Sequence, residues 1–575
     1  MKQKIRELDK ERLQEVILQM LEFLSEEQKR RLEELIDRSA EGKGKSEGGF
    51  AVRRMSPALV NEKMEQMKIW MEQIDEGEFC LETYGYEDYS GGYWDSDWVT
   101  EYTDSQGIGD KIMSMIQFAK DCVNDMYYPE AVSVYNWLWD MCVSTDGEYD
   151  DTPVDFETLA EEKIISVNME QIALLTLYAD YQSQEADRRA ADMYLYFCHG
   201  TFRELHIEDM FHVGRENLDG KEQFWKDWIE LLSTQSGNAE SRLLQEAVLY
   251  AEGVPGLVKR ADENCRIHPA LYLAAMKEHE KDHDYAEVER VGERALERID
   301  VRLTIRGRVA LMTAYASTVL MHQEKEMLFC WEAYRSDTTV RNFLRLFGRK
   351  EMAERYGMRG EEALAAGIRE SAVKYGKSQE LEENIPGDDN YYLLKFYNGD
   401  FRATKEASKN PRGSLGWSTC FIRYGIRLFL LYLYDNPLPS RAMAAIAQGI
   451  GFPDDEESAY LLPFEKEIAE ESRRLKISVF WNYFQRWKQY FQMEPKEKSA
   501  YLQWAEKIVY SRADAIVSGQ HRGSYASAAV LLAAVAEVKE SVGEEGIRAE
   551  IFAEYKKKFP RHSSFQAEMR TYFNR

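Results

Sequence analysis

The chain has 575 residues, 44% of them hydrophobic and 30% charged, with a formal charge of −27. That length exceeds one compact core, so several domains or an extended repeat array are required. The composition excludes a disordered chain, and the acidity weighs against direct binding to nucleic acid phosphates.

Residues 4 to 38 read as two amphipathic helices, the first striped by Leu13, Val16, Ile17, Met20, Leu21 and Leu24, the second by Leu32, Leu35 and Ile36. Residues 1 to 12 are highly charged and lack the apolar core of a secretory signal, and no run of 18 apolar residues occurs. The most apolar stretch, Phe421 to Tyr434, is interrupted by Arg423 and Arg427. No membrane partner and a cytoplasmic location are therefore expected. Seven cysteines lie 20 to 90 residues apart without a C-x-x-C pair, as reduced core thiols would.

Residues 39 to 58 read as a linker. Within it Gly44-Lys45-Ser46 resembles the end of a phosphate loop, but Ser39 stands where that loop needs glycine and no strand precedes it. From 75 to 110 come eleven acidic side chains, no basic one and eight aromatics, with Gly85, Gly91 and Gly92 interrupting any helix. Two readings stand: an extended loop whose aromatics anchor on neighbouring helices, or an acidic-aromatic docking site for a basic partner segment. Its candidate contact residues are Tyr84, Tyr86, Tyr93, Trp94 and Trp98.

Helical pattern resumes at Asp110. A second acidic loop spans 140 to 155, where Asp146, Glu148, Asp150 and Asp151 could hold a hard cation but lack the alternating spacing of a calcium loop, which favours a solvated, helix-capping loop. Further helices are expected around 164–183, 187–197, 222–232, 239–252, 269–279, 301–322, 325–334 and 361–375. The breaker at 382–390, ENIPGDDN, separates them from helices near 417–434, 441–449, 465–491, 501–518, 524–542 and 546–559. No run alternates as a strand should. The expected fold is all-α, with a helix pair at 1–38, a linker at 39–58, a repeat region at 59–383 and a second repeat region at 384–575.

One stripe recurs. Counting from a tyrosine, apolar or small residues fall at +3, +7 and +10: Tyr128, Ala131, Tyr135, Leu138; Tyr285, Val288, Gly292, Ala295; Tyr525, Ala528, Leu532, Val535. Steps of 3, 4 and 3 trace one helix face, and small residues along it admit a close neighbour. Asp284-Tyr285-Ala286-Glu287-Val288 running to Arg294-Ala295-Leu296-Glu297, and Tyr128-Pro129-Glu130-Ala131, resemble the second helix of a tetratricopeptide (TPR) repeat. The layout is also similar to the helical part of bacterial SWIM zinc-finger proteins, through the N-terminal helix pair, Asp146-Gly147-Glu148 and Arg522-Gly523-Ser524-Tyr525 with Glu537. The C-x-C…C-x-H finger is absent, so no zinc is carried over. The resemblance implies a TPR-like solenoid of stacked hairpins that binds a protein or peptide and needs no cofactor.

Two further constellations could carry function. His279-Glu280-Lys281-Asp282-His283 spells H-E-x-x-H, in which two imidazoles one helical turn apart hold zinc and the glutamate activates water. Charged residues at its centre and the turn expected after His283 favour an exposed helix end. Arg341, Arg345, Arg349 and Lys350 have near-helical spacing and could form a positive stripe beside Phe343 and Phe347. A non-enzymatic interaction scaffold is the expected function; a zinc hydrolase at 279–283 and an accessory subunit of a nucleic-acid machine are the alternatives.

Overall fold

The computed structural model describes residues 54–88, 97–147, 149, 151–357, 389–409, 413–417, 420–452 and 462–573. The expected helix pair at 1–38, most of the linker, the helix at 361–375 and the breaker at 382–388 lie outside the described residues. What is described is predominantly helical, with many packed helix pairs. It forms two compact units, one of residues up to Ser183 with 199–201 and 210–217, the other of the remainder.

In the first unit, α1 (Pro57–Asp75) starts on Ser56, whose hydroxyl accepts from the Leu59 N–H at 3.3 Å, and its proline stands in the first turn, where no N–H is needed. β1 (Cys80–Asp88) and β2 (Asp97–Thr103) precede α2 (Ile108–Asn124) and α3 (Tyr128–Asp140). β3 (Cys142–Thr145), β4 (Val154–Asp155), α4 (Phe156–Glu161) and α5 (Met169–Ser183) complete it. The Asp104 carboxylate caps α2, accepting from Ile108 and Gly109 N–H at 2.9 and 2.8 Å. α5 is buried on all sides from Ile172 to Tyr181, so it is this unit's central rod; the Trp139 indole donates to Thr176 Oγ1 at 3.0 Å.

The strands correct the expectation of an all-α chain. Four of them form one sheet in the order β2-β1-β3-β4, with β1 antiparallel to β2 and parallel to β3. β1 does alternate: Leu81 and Thr83 point inward, while Glu82, Tyr84 and Tyr86 point out. Its bulky aromatics sit on the solvent face and its inward face carries threonine and glycine, which inverts the pattern by which a strand is recognised.

The second unit is helical among the described residues. Its first run comprises α6 (Lys221–Thr234), α7 (Asn238–Asn264), α8 (Ala270–Lys281), α9 (Tyr285–Arg298), α10 (Thr304–Val319), α11 (Gln323–Ser336) and α12 (Val340–Arg345). Each packs on the next, and α8 also meets α10. After α13 (Asp389–Tyr397) and α14 (Phe401–Ala407) come α15 (Ile422–Leu433), α16 (Arg441–Gln448), α17 (Pro463–Leu475) and α18 (Val479–Lys488). α19 (Pro495–Ser518), α20 (Tyr525–Ser541), α21 (Ile547–Lys558) and α22 (Ser563–Phe573) close the unit.

All three tyrosine-led stripes are helices that begin at their tyrosine. Ala131, Tyr135, Leu138, Val288, Ala295, Ala528, Leu532 and Val535 are buried. The turn before each is the same object. The first helix ends, its C′ residue is left-handed, and two backbone bonds close the end. Tyr127 N–H reaches Cys122 O at 2.8 Å and Met126 N–H reaches Val123 O at 3.3 Å, with Met126 at φ 65. This is a Schellman closure. It recurs with His283 at φ 58, Met321 at φ 61, Gly399 at φ 83 and Gln520 at φ 57. The equivalent bonds are Asp284 N to His279 O, His322 N to Ser317 O, Asp400 N to Lys395 O, and His521 N to Ile516 O, each at 2.8 to 3.0 Å. In these five pairs helical structure resumes two residues after the left-handed one, two of them without a leading tyrosine; the helix ends at Lys476 and Gly543 close by the same bonds before longer links. In the five pairs four left-handed residues are not glycine, at a cost of roughly 1–2 kcal/mol each, which the packed pair must offset.

Buried polar groups stitch the second unit. Glu289 on α9 accepts from Ser317 Oγ at 3.0 Å, pairs with His322 Nδ1 at 2.8 Å and also meets Lys325, joining α9, α10 and α11. His268 is fully buried, its Nε2 3.0 Å from the Leu232 carbonyl and its Nδ1 2.8 Å from Ser241 Oγ. A carbonyl can only accept, so Nε2 carries the proton and Nδ1 accepts from the serine. Burial holds this imidazole below its ordinary value of 6.5. The folded state therefore prefers neutral His268, and that stability is complete above pH 6.5. It is lost as pH falls through the depressed folded value, because the unfolded chain takes the proton first. Urea unfolding between pH 7.5 and 5.5 should show a smaller loss of stability for His268→Gln than for wild type; equal losses would contradict this.

Candidate functional site

The sheet of the first unit carries two exposed aromatics side by side. Tyr84 is 58% exposed and Tyr86 37%, two residues apart on the outward face of β1, with ring centroids 6.2 Å apart. Across the ladder Tyr84 stands opposite Glu101, Tyr86 opposite Val99 and Glu82 opposite Thr103. The Tyr86 hydroxyl donates to Glu101 Oε1 at 3.2 Å. A third ring joins from the second acidic loop: Tyr149, 41% exposed, meets Tyr84 edge to face at 5.7 Å.

Asp146 brings the two acidic segments together. Its Oδ1 accepts from Thr83 Oγ1 at 2.6 Å and Thr83 N–H at 3.2 Å, and its own N–H donates to Leu81 O at 2.9 Å. Thr83 Oγ1 in turn accepts from Tyr149 N–H at 3.2 Å. The carboxylate considered for a cation thus fixes the loop to β1. Among the described residues no group of three His, Cys, Asp or Glu side chains is placed to hold a metal ion.

The candidate contact residues divide. Tyr84 and Tyr86 are brought together. Tyr93 and Trp94 lie outside the described residues; Trp98 is placed in β2 opposite Glu87, with its side chain outside the description. The described parts of 75–110, residues 75–88 and 97–110, are corrected from an extended loop to the end of α1, a two-stranded ladder and the start of α2. Tyr149 was missed, because nothing in the sequence aligns residue 149 with residue 84.

The basic stripe is corrected too. α12 stops at Arg345, so residues 341 to 350 do not form one helical face. Arg345 is 2% exposed, its Nε 2.9 Å from Glu465 Oε1. Arg349 pairs with buried Glu326 at 3.0 Å, and the Arg341 guanidinium lies 5.0 Å from the Phe452 ring centre. Phe343 and Phe347 are buried. Arg345 and Arg349 thus tie into the interior, while Lys350 is exposed and pairs with Glu354 at 3.5 Å, so the four do not make one surface stripe.

The H-E-x-x-H segment is split by a turn. α8 ends at Lys281, so His279 and Glu280 lie in its last turn while His283 is the left-handed residue beyond it. The two imidazoles do not share one helical face, which is what zinc ligation at this spacing needs. His283 is exposed and stacked on Tyr285, with centroids 6.2 Å apart.

No protein-family model matches the chain, and no curated protein is significantly similar to it. The TPR and SWIM resemblances therefore rest on the residues that carry them. Among the described residues no helix is long and apolar enough to cross a membrane.

Proposed function

We propose that this chain is a non-enzymatic, TPR-like helical-repeat scaffold whose acidic tyrosine face takes a basic segment of a partner protein. The observation that carries the reading is the trio Tyr84, Tyr86 and Tyr149, exposed and in ring contact beside Glu82 and Glu101. The 36 residues from 75 to 110 hold no lysine or arginine.

Tyrosine offers contact area at low conformational cost, and its ring face attracts a lysine or arginine head by roughly 0.5–1 kcal/mol at an exposed site. The carboxylates add steering toward positive charge that fades with salt. Five copies of one helix-pair turn and the successive packing of α6 to α12 support the stacked-hairpin reading.

A photo-crosslinking amino acid at position 84, compared with one at Tyr250 in the second unit (52% exposed), tests the reading in the native host. Adducts are expected at 84 and not at 250, with the linked peptides rich in lysine and arginine. Equal labelling at both positions, or acidic linked segments, would contradict it.

A further inference from the structure

β2 is the terminal strand of its sheet, and its whole length is zipped to β1, from Glu82↔Thr103 to Asp88↔Asp97, without a bulge. In an antiparallel ladder alternate residues turn their N–H and C=O away from the partner strand, so half of the β2 backbone groups face outward on the free side. Among the described residues no strand pairs there. Val99 to Thr103 are all at least partly exposed.

Proteins usually blunt such an edge with lysine, proline, a bulge or a very short strand. The sequence of β2, DWVTEYT, has none of these and is rich in strand-forming residues. Its only charges are Asp97 and Glu101, both negative. A second copy pairing edge to edge would gather the acids of both strands on one face, on chains that each carry −27. A strand carrying lysine or arginine would meet them with opposite charge.

We infer, building on the docking face proposed above, that the basic partner segment binds by adding itself as a fifth strand along β2. Its backbone would take the outward groups of β2. Every second side chain would then fall on the face that carries Tyr84, Tyr86 and Glu101, and there the segment places its lysines or arginines. Intervening positions face the Thr100 and Tyr102 side and take small or apolar residues. The ladder of β2 sets a length of about six to eight residues.

The probe is a fluorescein-labelled peptide of alternating lysine and valine, about eight residues long to match β2. Two derivatives are N-methylated at alternate valines or alternate lysines, and a fourth peptide has glutamate for lysine. N-methylation removes amide donors from one edge of the peptide and keeps its charge. The parent should bind the full-length protein. One N-methyl set should weaken binding by about tenfold or more and the other far less, since only one edge meets β2. The glutamate peptide should not bind.

If both N-methyl sets bind like the parent while Tyr84→Ala/Tyr86→Ala weakens binding, strand addition is wrong and the tyrosine face stands. If binding depends on one N-methyl set and ignores the tyrosines, the edge stands and the face reading falls. No binding by the parent overturns both. Amide exchange of the peptide-free protein is the control for self-pairing. Slow exchange at alternate β2 amides that quickens on dilution would give the edge to a second copy and overturn the proposal.

Discussion

Arg345→Ala should lower the unfolding free energy of the second unit by about 3–5 kcal/mol, the range for breaking a buried ion pair from one side. Both partners are nearly sealed, Arg345 at 2% and Glu465 at 3% exposure, and 2.9 Å separates Nε from Oε1. Glu465 has further donors: the Tyr483 hydroxyl reaches Oε1 at 3.1 Å, and the Leu462 N–H reaches Oε2 at 3.1 Å at the start of α17. Asn342 accepts a second bond from the guanidinium. Burial alone would disfavour the Arg345 charge, yet Glu465 outweighs it and the guanidinium is held above its ordinary value. Remove the arginine, and a carboxylate is left in the interior with hydroxyl and amide donors only. Replacing both residues with methionine removes the charge together with its partner and should recover much of the loss, short of the bond that Tyr483 gives up. Urea unfolding of the two variants decides it. A loss under about 1 kcal/mol for Arg345→Ala, typical of a solvated surface pair, would contradict the arrangement.

Gly292→Ala should cost about 1–3 kcal/mol, because the site has no room for a methyl group. An added Cβ would stand 2.0 Å from Thr313 Oγ1 and 2.9 Å from Met276 Cε. Thr313 cannot readily turn aside: it is fully buried and its hydroxyl donates to Val309 O at 2.7 Å. The glycine thus lets α9 come close to α10, as the small residue in the Tyr285 stripe suggested. Combining Gly292→Ala with Thr313→Ala empties the space the new methyl group needs. The double variant should be more stable than Gly292→Ala alone. If the second change only adds to the loss, the close approach is not the cause.

What the sequence made legible was local. The +3, +7, +10 stripes mark buried helix faces because steps of 3, 4 and 3 keep to one side of a 3.6-residue helix, and their tyrosines stand at helix starts. The acidic-aromatic character of 75–110 was equally plain, since it is composition alone. Its strands were hidden because β1 turns tyrosines outward and Thr83 inward. The shared turn was hidden because Met126, His283, Met321 and Gln520 take a conformation for which sequence reading expects glycine.

Long-range partners were out of reach for another reason. Arg345 looked like part of a surface stripe because its carboxylate lies 120 positions away. Tyr149 and Tyr84 likewise meet through bonds such as that between Asp146 and Thr83, across 63 positions. Spacing within one helix cannot encode such pairs. The candidate face is therefore half legible: its chemistry comes from one segment and its shape from two.

The most direct test of the tyrosine face is a calorimetric titration with the basic peptide recovered by crosslinking at position 84. Wild type and Tyr84→Ala/Tyr86→Ala, matched in thermal stability, would be compared at low and high salt. An affinity lower by about tenfold or more is expected in the variant, as loss of two aromatic anchors implies, with weaker wild-type binding as salt rises. Equal affinity for both proteins, insensitive to salt, would contradict it.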